Sequence, residues 1–482
     1  MPQRELVIRG DVPPALVAGL KRLADQLDLP GDFAADVTAE ASSVAANRPP
    51  DTAPRTVLTQ PFVTIDPAGS MDLDQALFIE TAGPGYRVWY AISDVAAWVR
   101  PGGAIDAAAR LRGETYYAPQ TRLPLHPTSL SEGVASLLPD GVARPANVWR
   151  IDLDATGAVT DFTVVRAAVT SVAKLDYVGV QHDLDAGTAP APLQLLRTVG
   201  ELRTQQEAAR GGISLNLPNQ EVVVAGDGWT TTFANTLPVE NWNAQISLLT
   251  GYCAAALMRQ HGVGILRTLP PADEQTIRLL RSVAASLRLP WPDGVGYADF
   301  VRGLDPSQPA GQAMMNSCTL LFRGAGYTVI GSPADTGHMP HAALASEYAH
   351  TTAPLRRLVD RFTGAICGCL AAGEPVPAWV SEALPTLPDT MEQADRRAKA
   401  FERGVIGLTE ALALRHRIGQ QFEGVIVEID ERDATRGTAS LPDQAVEAAV
   451  RAAHPLTLGA QVELRLIEAN IGTGDVLFEQ VT

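Results

Sequence analysis

The stretch TIDPAGSMDLDQAL, residues 64–77, decides how the chain is read. An apolar segment of strand character, PFVTID, runs into it, and a second, QALFIE, runs out of it. Between them Asp66, Asp72 and Asp74 fall within nine residues, with Gly69 between the first two. If residues 72–74 are extended, the side chains of Asp72 and Asp74 point the same way. A turn through Pro67, Ala68 and Gly69 then returns Asp66 beside them. Three converging carboxylates repel one another unless protons or a cation sit between them. Magnesium suits such oxygen ligands, with manganese as the alternative. Such a site serves phosphodiester hydrolysis, one ion activating water and another stabilising the leaving oxygen. Spacing alone leaves two other readings open, an acidic surface turn and a structural calcium loop. It does not match the EF-hand pattern.

Working outward, YRVWYAISDV, WRIDLD and TDFTVVRAAVT continue the strands. APLQLLRTVGELRTQQEAAR, WNAQISLLTGYCAAALMRQHG and EQADRRAKAFERGVIGLTEALALRHR have helical periodicity. Residues 58–411 are therefore expected to form one α/β or α+β body, with mixed sheet first and most of the helix later. Residues 1–57 read as a small helical domain: PPALVAGLKRLADQL and PGDFAADVTAEASSVAAN are two helices, stopped by Pro49-Pro50. That pair is compatible with a helix-turn-helix, and equally with packing on the main body. Residues 412–482 change character. GQQFEGVIVEID, GAQVELRLIEA and DVLFEQV read as strands of a small OB-type barrel, with ATRGTAS as a turn.

Basic and aromatic residues recur at intervals. In EYAHTTAPLRRLVDR, Arg356 and Arg357 follow Pro354 and are expected in the first turn of a helix. Guanidinium groups suit phosphate, and one of the two can clamp a scissile phosphate; a solvated basic patch is the plainer reading. In DRRAKAFER, the residues Arg396, Lys399 and Arg403 share a helix face that can track a phosphate backbone. Glu402 lies beside them, and ordinary surface ion pairs are the alternative. Tyr116 and Tyr117 lie in a loop-like, proline-rich stretch, and Tyr177 follows Lys174. Aromatic faces stack on unpaired bases, although a single tyrosine is more often a packing residue. His350 serves either a phosphate or the fold.

The 482 residues are 46% hydrophobic and 19% charged, with a net charge of −16. That balance argues against a nucleic-acid coat protein but leaves room for an enzyme with a narrow basic channel. No secretory signal opens the chain and no apolar run reaches membrane-spanning length, so a cytoplasmic protein without membrane contact is expected. Cys253, Cys318, Cys367 and Cys369 lack zinc spacing and are expected to be buried, reduced thiols.

At these residues the sequence resembles the ribonuclease II and ribonuclease R family, whose catalytic module is called the RNB domain. The likeness covers about residues 58–411. ISDVAAWVRPGGAIDAAARLRGETYYAP, LPLHPTSLSEGVASLLPDGVARP, YAHTTAPLRRLVDR and AFERGV follow the three-aspartate motif in the family's order. The resemblance implies magnesium-dependent 3′-to-5′ hydrolysis of single-stranded RNA to nucleoside 5′-monophosphates. It implies that Asp66, Asp72 and Asp74 surround the metal, Asp74 being closest to the chemistry. Arg356 matches the catalytic arginine and Glu402 its supporting glutamate. Tyr117 resembles the aromatic residue that packs on a base at the cavity entrance, and Tyr177 the tyrosine that sets the chain end. The C-terminal segment resembles the family's S1-type barrel. A monomer with no obligatory protein partner is expected.

Two positions depart from the pattern. Gln75 stands at the usual fourth acidic position, and Gln245 where the family often has glutamate. The short helical start leaves no room for the family's two cold-shock barrels. An RNA-binding protein with a weakened or inactive nuclease site is the alternative to an enzyme.

Overall fold

The computed structural model describes residues 6–9, 13–49, 55–118, 121–215, 219–225, 228–234, 236–305, 308–430, 432–441, 444 and 446–481. Its centre is a seven-stranded sheet in the order Ser171–Asp176, Phe62–Asp66, Gln75–Ala82, Gly85–Ser93, Arg144–Leu153, Val159–Val169, Thr56–Val57. The first two strands pair in parallel, as do the last two; the rest are antiparallel. Side chains alternate across it with the two-residue period of a pleated strand. Leu77, Ile79, Val88, Tyr90, Ile92, Trp149 and Ile151 fall in one buried cluster. Their neighbours Ala76, Ala91, Ala146 and Val148 fall in another.

The first face is covered by helices Ala191–Arg210, Pro238–His261 and Leu358–Ala372, which give Leu196, Val199, Ile246, Leu249, Phe362 and Ile366 to the same core. The first two helices carry proline in the opening turn. Each ends on a left-handed glycine, Gly211 at φ 83° and Gly262 at φ 69°, a geometry that only glycine takes without strain.

The C-terminal segment closes into a barrel in the order Gln421–Ile429, Arg436–Leu441, Val446–Arg451, Asp475–Gln480, Gln461–Asn470. Phe422, Ile426, Leu464, Leu466 and Phe478 fill it. The stretch ATRGTAS is a turn only at Ala434 and Thr435; from Arg436 it is strand, paired on both sides. Small residues there let neighbouring backbones approach. A Cβ on Gly437 would meet Glu428 O at 2.2 Å.

The first 57 residues depart most from expectation. Helices Pro14–Gln26 and Ala35–Ala46 form, but they share no core. Leu16 and Leu20 pack with Tyr116, Phe401, Val405 and Leu408, whereas Val37, Ala41 and Val44 pack with Trp98, Ile105 and Leu355. Strand Leu6–Arg9 pairs with Asn219–Ala225, and Thr56–Val57 edges the central sheet. The segment is therefore strapped along the main body, the packing that stood beside the helix-turn-helix reading. Each helix has a single apolar stripe, and the body already offers a surface for each.

Cys253, Cys318, Cys367 and Cys369 are buried and unpaired. Among the described residues no helix is long and apolar enough to cross a membrane.

Candidate active site

The aspartates lie on the connection between strands Phe62–Asp66 and Gln75–Ala82. This loop is fastened along its length. Ser136 Oγ donates to Met71 O at 2.6 Å and accepts from Leu73 N at 2.9 Å. The amide of Leu137 donates to Leu73 O, and that of Ser93 to Asp74 O. Lys174 Nζ reaches Ala68 O at 3.1 Å. Asp66 ends its strand opposite Asp176, and Asn243 Nδ2 donates to the preceding carbonyl, Ile65 O, at 3.4 Å. Asn243 also donates to the Tyr177 hydroxyl at 3.1 Å, which places Tyr177 beside the first aspartate.

The arginine segment approaches from the other side. Arg356 and Arg357 precede the helix rather than open it: both amides donate to Ala353 O in a separate turn, and the helix begins at Leu358 with Arg357 as its extended N-cap. The extended backbone of Arg357 pairs with Glu114, with Thr115 N donating to Arg356 O and Leu358 N to Gly113 O. Leu355 N donates to Asp74 Oδ1 at 2.7 Å. Arg356 Nε stands 3.6 Å from Asp74 Oδ2, and its side chain keeps 51% exposure against 5% for Asp74. A guanidinium so placed is anchored at one edge and open to an anion at the other.

Arg357 is not available in this way. It binds Asp360 through Nε at 2.5 Å and Nη2 at 2.7 Å, and the Asp360 carboxylate is fully buried. It neutralises a buried charge. His350 is likewise part of the fold. Its Nδ1 meets the Tyr327 hydroxyl at 2.7 Å. Burial, with Arg357 and Arg267 nearby, holds its pKa well below the usual histidine range. On helix Leu387–Leu414, Arg396 pairs with Glu392 at 3.0 Å and Lys399 with Asp395 at 2.8 Å, the surface ion pairs of the plainer reading. Arg403 is exposed and Glu402 half-buried on the same helix.

Burial pushes the Asp66 carboxyl up to about 6, with Arg356 pulling it down and Asp72 adding to the rise. Burial raises Asp74 further, again opposed by Arg356 and by the Leu355 amide. Burial also pushes the Tyr177 hydroxyl up to about 12. The three aspartates thus share the field of one arginine. They do not form a closed cage: among the described residues no group of three or more His, Cys, Asp or Glu side chains is disposed to hold a metal. Asp72 turns to Arg122, Nη1 to Oδ1 at 2.9 Å, with the Tyr117 hydroxyl at 3.4 Å from Oδ2.

Gln75 is a strut. Its Nε2 donates to Thr352 O at 2.7 Å, and its Oε1 accepts from the Tyr90 hydroxyl. Thr352 Oγ1 is joined to Ser247 Oγ at 2.7 Å. Gln245 is buried and donates to Glu207 at 2.6 Å, between helices Ala191–Arg210 and Pro238–His261.

Sequence reading missed Arg122, Asn243, Ser247, Tyr90 and Ser136. Asn243 and Ser247 carried a usable signal, since their four-residue spacing puts both on one helix face. Tyr117 lies not in a loop but in a hairpin, Tyr116–Ala118 with Thr121–Leu123, where it faces Arg122 across the strands. Its side chain is 48% exposed, whereas Tyr116 is buried against Phe401.

Residues 55–365 match the RNB domain, and residues 420–481 the RNase II-type exonuclease C-terminal S1 domain. Ribonuclease R of Escherichia coli is 27% identical over 396 residues, 77% of this chain and 48% of that protein. Exoribonuclease 2 of Edwardsiella piscicida is 30% identical over 397 residues, 77% of this chain and 58% of that protein. The chain thus spans about half the length of these curated relatives. Among solved structures, Mycoplasma genitalium RNase R in complex with ribose-methylated single-stranded RNA superposes with a TM-score of 0.86 at 18% identity, over 97% of this chain and 78% of that one. Yeast Ssd1, a pseudonuclease, superposes at 0.69 with 13% identity, over 90% and 55%. The aspartate loop, the arginine segment and the closing barrel follow one another in the order of a single lineage: the chain belongs to the RNB-domain ribonuclease family and carries its RNase II-type C-terminal S1 domain.

Proposed function

We propose that this chain is a hydrolytic 3′-to-5′ exoribonuclease that degrades single-stranded RNA to nucleoside 5′-monophosphates. The observation that carries the reading is the half-exposed Arg356 guanidinium standing 3.6 Å from the buried Asp74 carboxyl. Arg356 binds the scissile phosphate through its open edge and stabilises the charge that develops there. Asp74 holds Arg356, and the Leu355 amide fixes Asp74. Tyr117 offers its exposed ring to a base at the entrance. Tyr177, set by Asn243, positions the chain end near Asp66. Glu402 keeps the supporting role that the resemblance implies.

The donor set fits a hard divalent cation such as magnesium. Asp66 and Asp74 offer oxygen ligands whose ionised forms burial disfavours, a penalty that a cation offsets. Asp66 and Asp74 would hold the ion, with Asp72 the third ligand. Such an ion supplies Lewis-acid stabilisation of the phosphate in the transition state. The reading carries with it a cytoplasmic monomer acting on RNA without a partner protein.

The test is a time course on 5′-labelled single-stranded RNA, with magnesium or with a chelator. Stepwise shortening to a short residual fragment, with mononucleotide release and only with magnesium, is expected. Internal cleavage overturns the polarity. RNA binding without hydrolysis favours the second reading, an RNA-binding protein with a weakened site, which the neutral Gln75 strut and the Asp72–Arg122 pair support.

A further inference from the structure

Tyr117 and Arg122 are direct cross-strand partners, so their side chains leave the same face of the hairpin. Both end on Asp72. Arg122 Nη1 lies 2.9 Å from Oδ1, and the Tyr117 hydroxyl 3.4 Å from Oδ2. The second guanidinium nitrogen, Nη2, lies 2.5 Å from Glu132 Oε1. Arg122 is thus held between two carboxylates, and all three side chains are at least three-quarters covered. The backbone around Asp72 is pinned by Ser136 at Met71 O and Leu73 N. With the backbone pinned, any change of partner at Asp72 is made by its side chain. Among the described residues no trio of acidic, histidine or cysteine side chains is disposed to hold a metal. One carboxylate of the aspartate loop is instead engaged by a cation of the protein itself.

We infer that Arg122 is a positioning residue that competes with a divalent cation for Asp72 and so couples cation binding to the hairpin that carries Tyr117. The inference rests on the metal-assisted reading given above. A carboxylate has two oxygens, and Asp72 already gives one to Arg122 and approaches the Tyr117 hydroxyl with the other. An ion held by Asp66 and Asp74 draws on the same Asp72 carboxylate that Arg122 holds, and its charge opposes that of the guanidinium. Linkage is reciprocal, so whatever Arg122 takes from cation affinity, the cation takes from the Arg122–Asp72 contact. A bound cation then loosens the Tyr117 hydroxyl from Asp72 as well, and with it the setting of the exposed ring.

The test is calorimetric titration of the full-length chain with manganese, without RNA, so that no step of hydrolysis enters the readout. Arg122→Gln is expected to tighten manganese binding by about fivefold. Arg122→Lys keeps the charge but loses the two-pronged reach, and is expected to fall between wild type and Arg122→Gln. The gain vanishes in the Asp72→Asn/Arg122→Gln double variant, because the contested carboxylate is gone. Thermal melting checks that each variant is folded, and Arg122→Lys carries the test if Arg122→Gln is not. Equal manganese affinity in wild type and the Arg122 variants overturns the competition and leaves the proposed function standing. A gain that persists in the double variant also overturns it. Failure of every protein to bind manganese overturns both.

Discussion

Leu355 donates its amide hydrogen to Asp74 Oδ1 at 2.7 Å, and the residue after it is Arg356. The same short contact therefore sets both the carboxyl and the guanidinium of the site. Asp74→Asn keeps an oxygen for the Leu355 amide but removes the charge that faces Arg356. Hydrolysis should fall by at least about a hundredfold, while RNA affinity in a gel-shift or polarisation assay stays near wild type. Turnover close to wild type would reject the role given to Asp74.

Arg356 and Arg357 are neighbours with opposite expected phenotypes. Arg356→Ala removes a half-exposed group, so kcat should drop by about 10²–10³ with little change in melting temperature. Arg357→Ala leaves the Asp360 carboxylate buried and unpaired, which should destabilise the fold by about 3–5 kcal/mol. Paired melts and single-turnover kinetics of the two variants separate these outcomes. A stable, inactive Arg357→Ala would contradict the assignment.

Tyr117→Ala deletes the exposed ring but leaves its buried neighbour Tyr116 in the core. Binding to short RNA should weaken by about 1–3 kcal/mol, and the residual fragment from 5′-labelled RNA should change in length. Identical product ladders would exclude base packing at this residue.

Stability should depend on pH through Glu114. Burial pushes its carboxyl up to about 7, with Asp395 adding to the rise and Arg357 opposing it. The folded state therefore holds this proton more tightly than the unfolded chain does. The contribution is full below the ordinary glutamate value near 4.5 and is lost as pH rises through about 7. Glu114→Gln should remove that slope, raising stability at pH 8 by up to about 3 kcal/mol. Denaturant titrations of both proteins at pH 5 and pH 8 measure it.

The aspartate loop was legible because strand, turn and acid follow one another without interruption. Asp66, Asp72 and Asp74 needed only local geometry to be placed near one another. The long helices were legible for the same reason: their apolar period and end signals are local. What was not legible depends on distant segments. Arg356 and Arg357 are adjacent and chemically alike. Only the positions of Asp74 and Asp360 leave one half-exposed beside the aspartate loop and the other paired with a buried carboxylate. The N-terminal helices were found, but each lies on a separate part of the body, and no feature within residues 1–57 says which. Arg122 becomes visible only when the hairpin register places it opposite Tyr117 and the fold brings in Asp72.

Helix Leu387–Leu414 has one further consequence. Near its middle, Phe401, Val405 and Leu408 grip Leu16, Leu20 and the buried Tyr116; at its end, Ala411 and Leu414 enter the barrel core. Gly404 lets the N-terminal strap press close, since a Cβ there would meet Leu23 at 2.5 Å. The barrel, the strap and the foot of the entrance hairpin thus hang on one shaft. The barrel is therefore joined to the main body by a packed helix rather than by a bare linker.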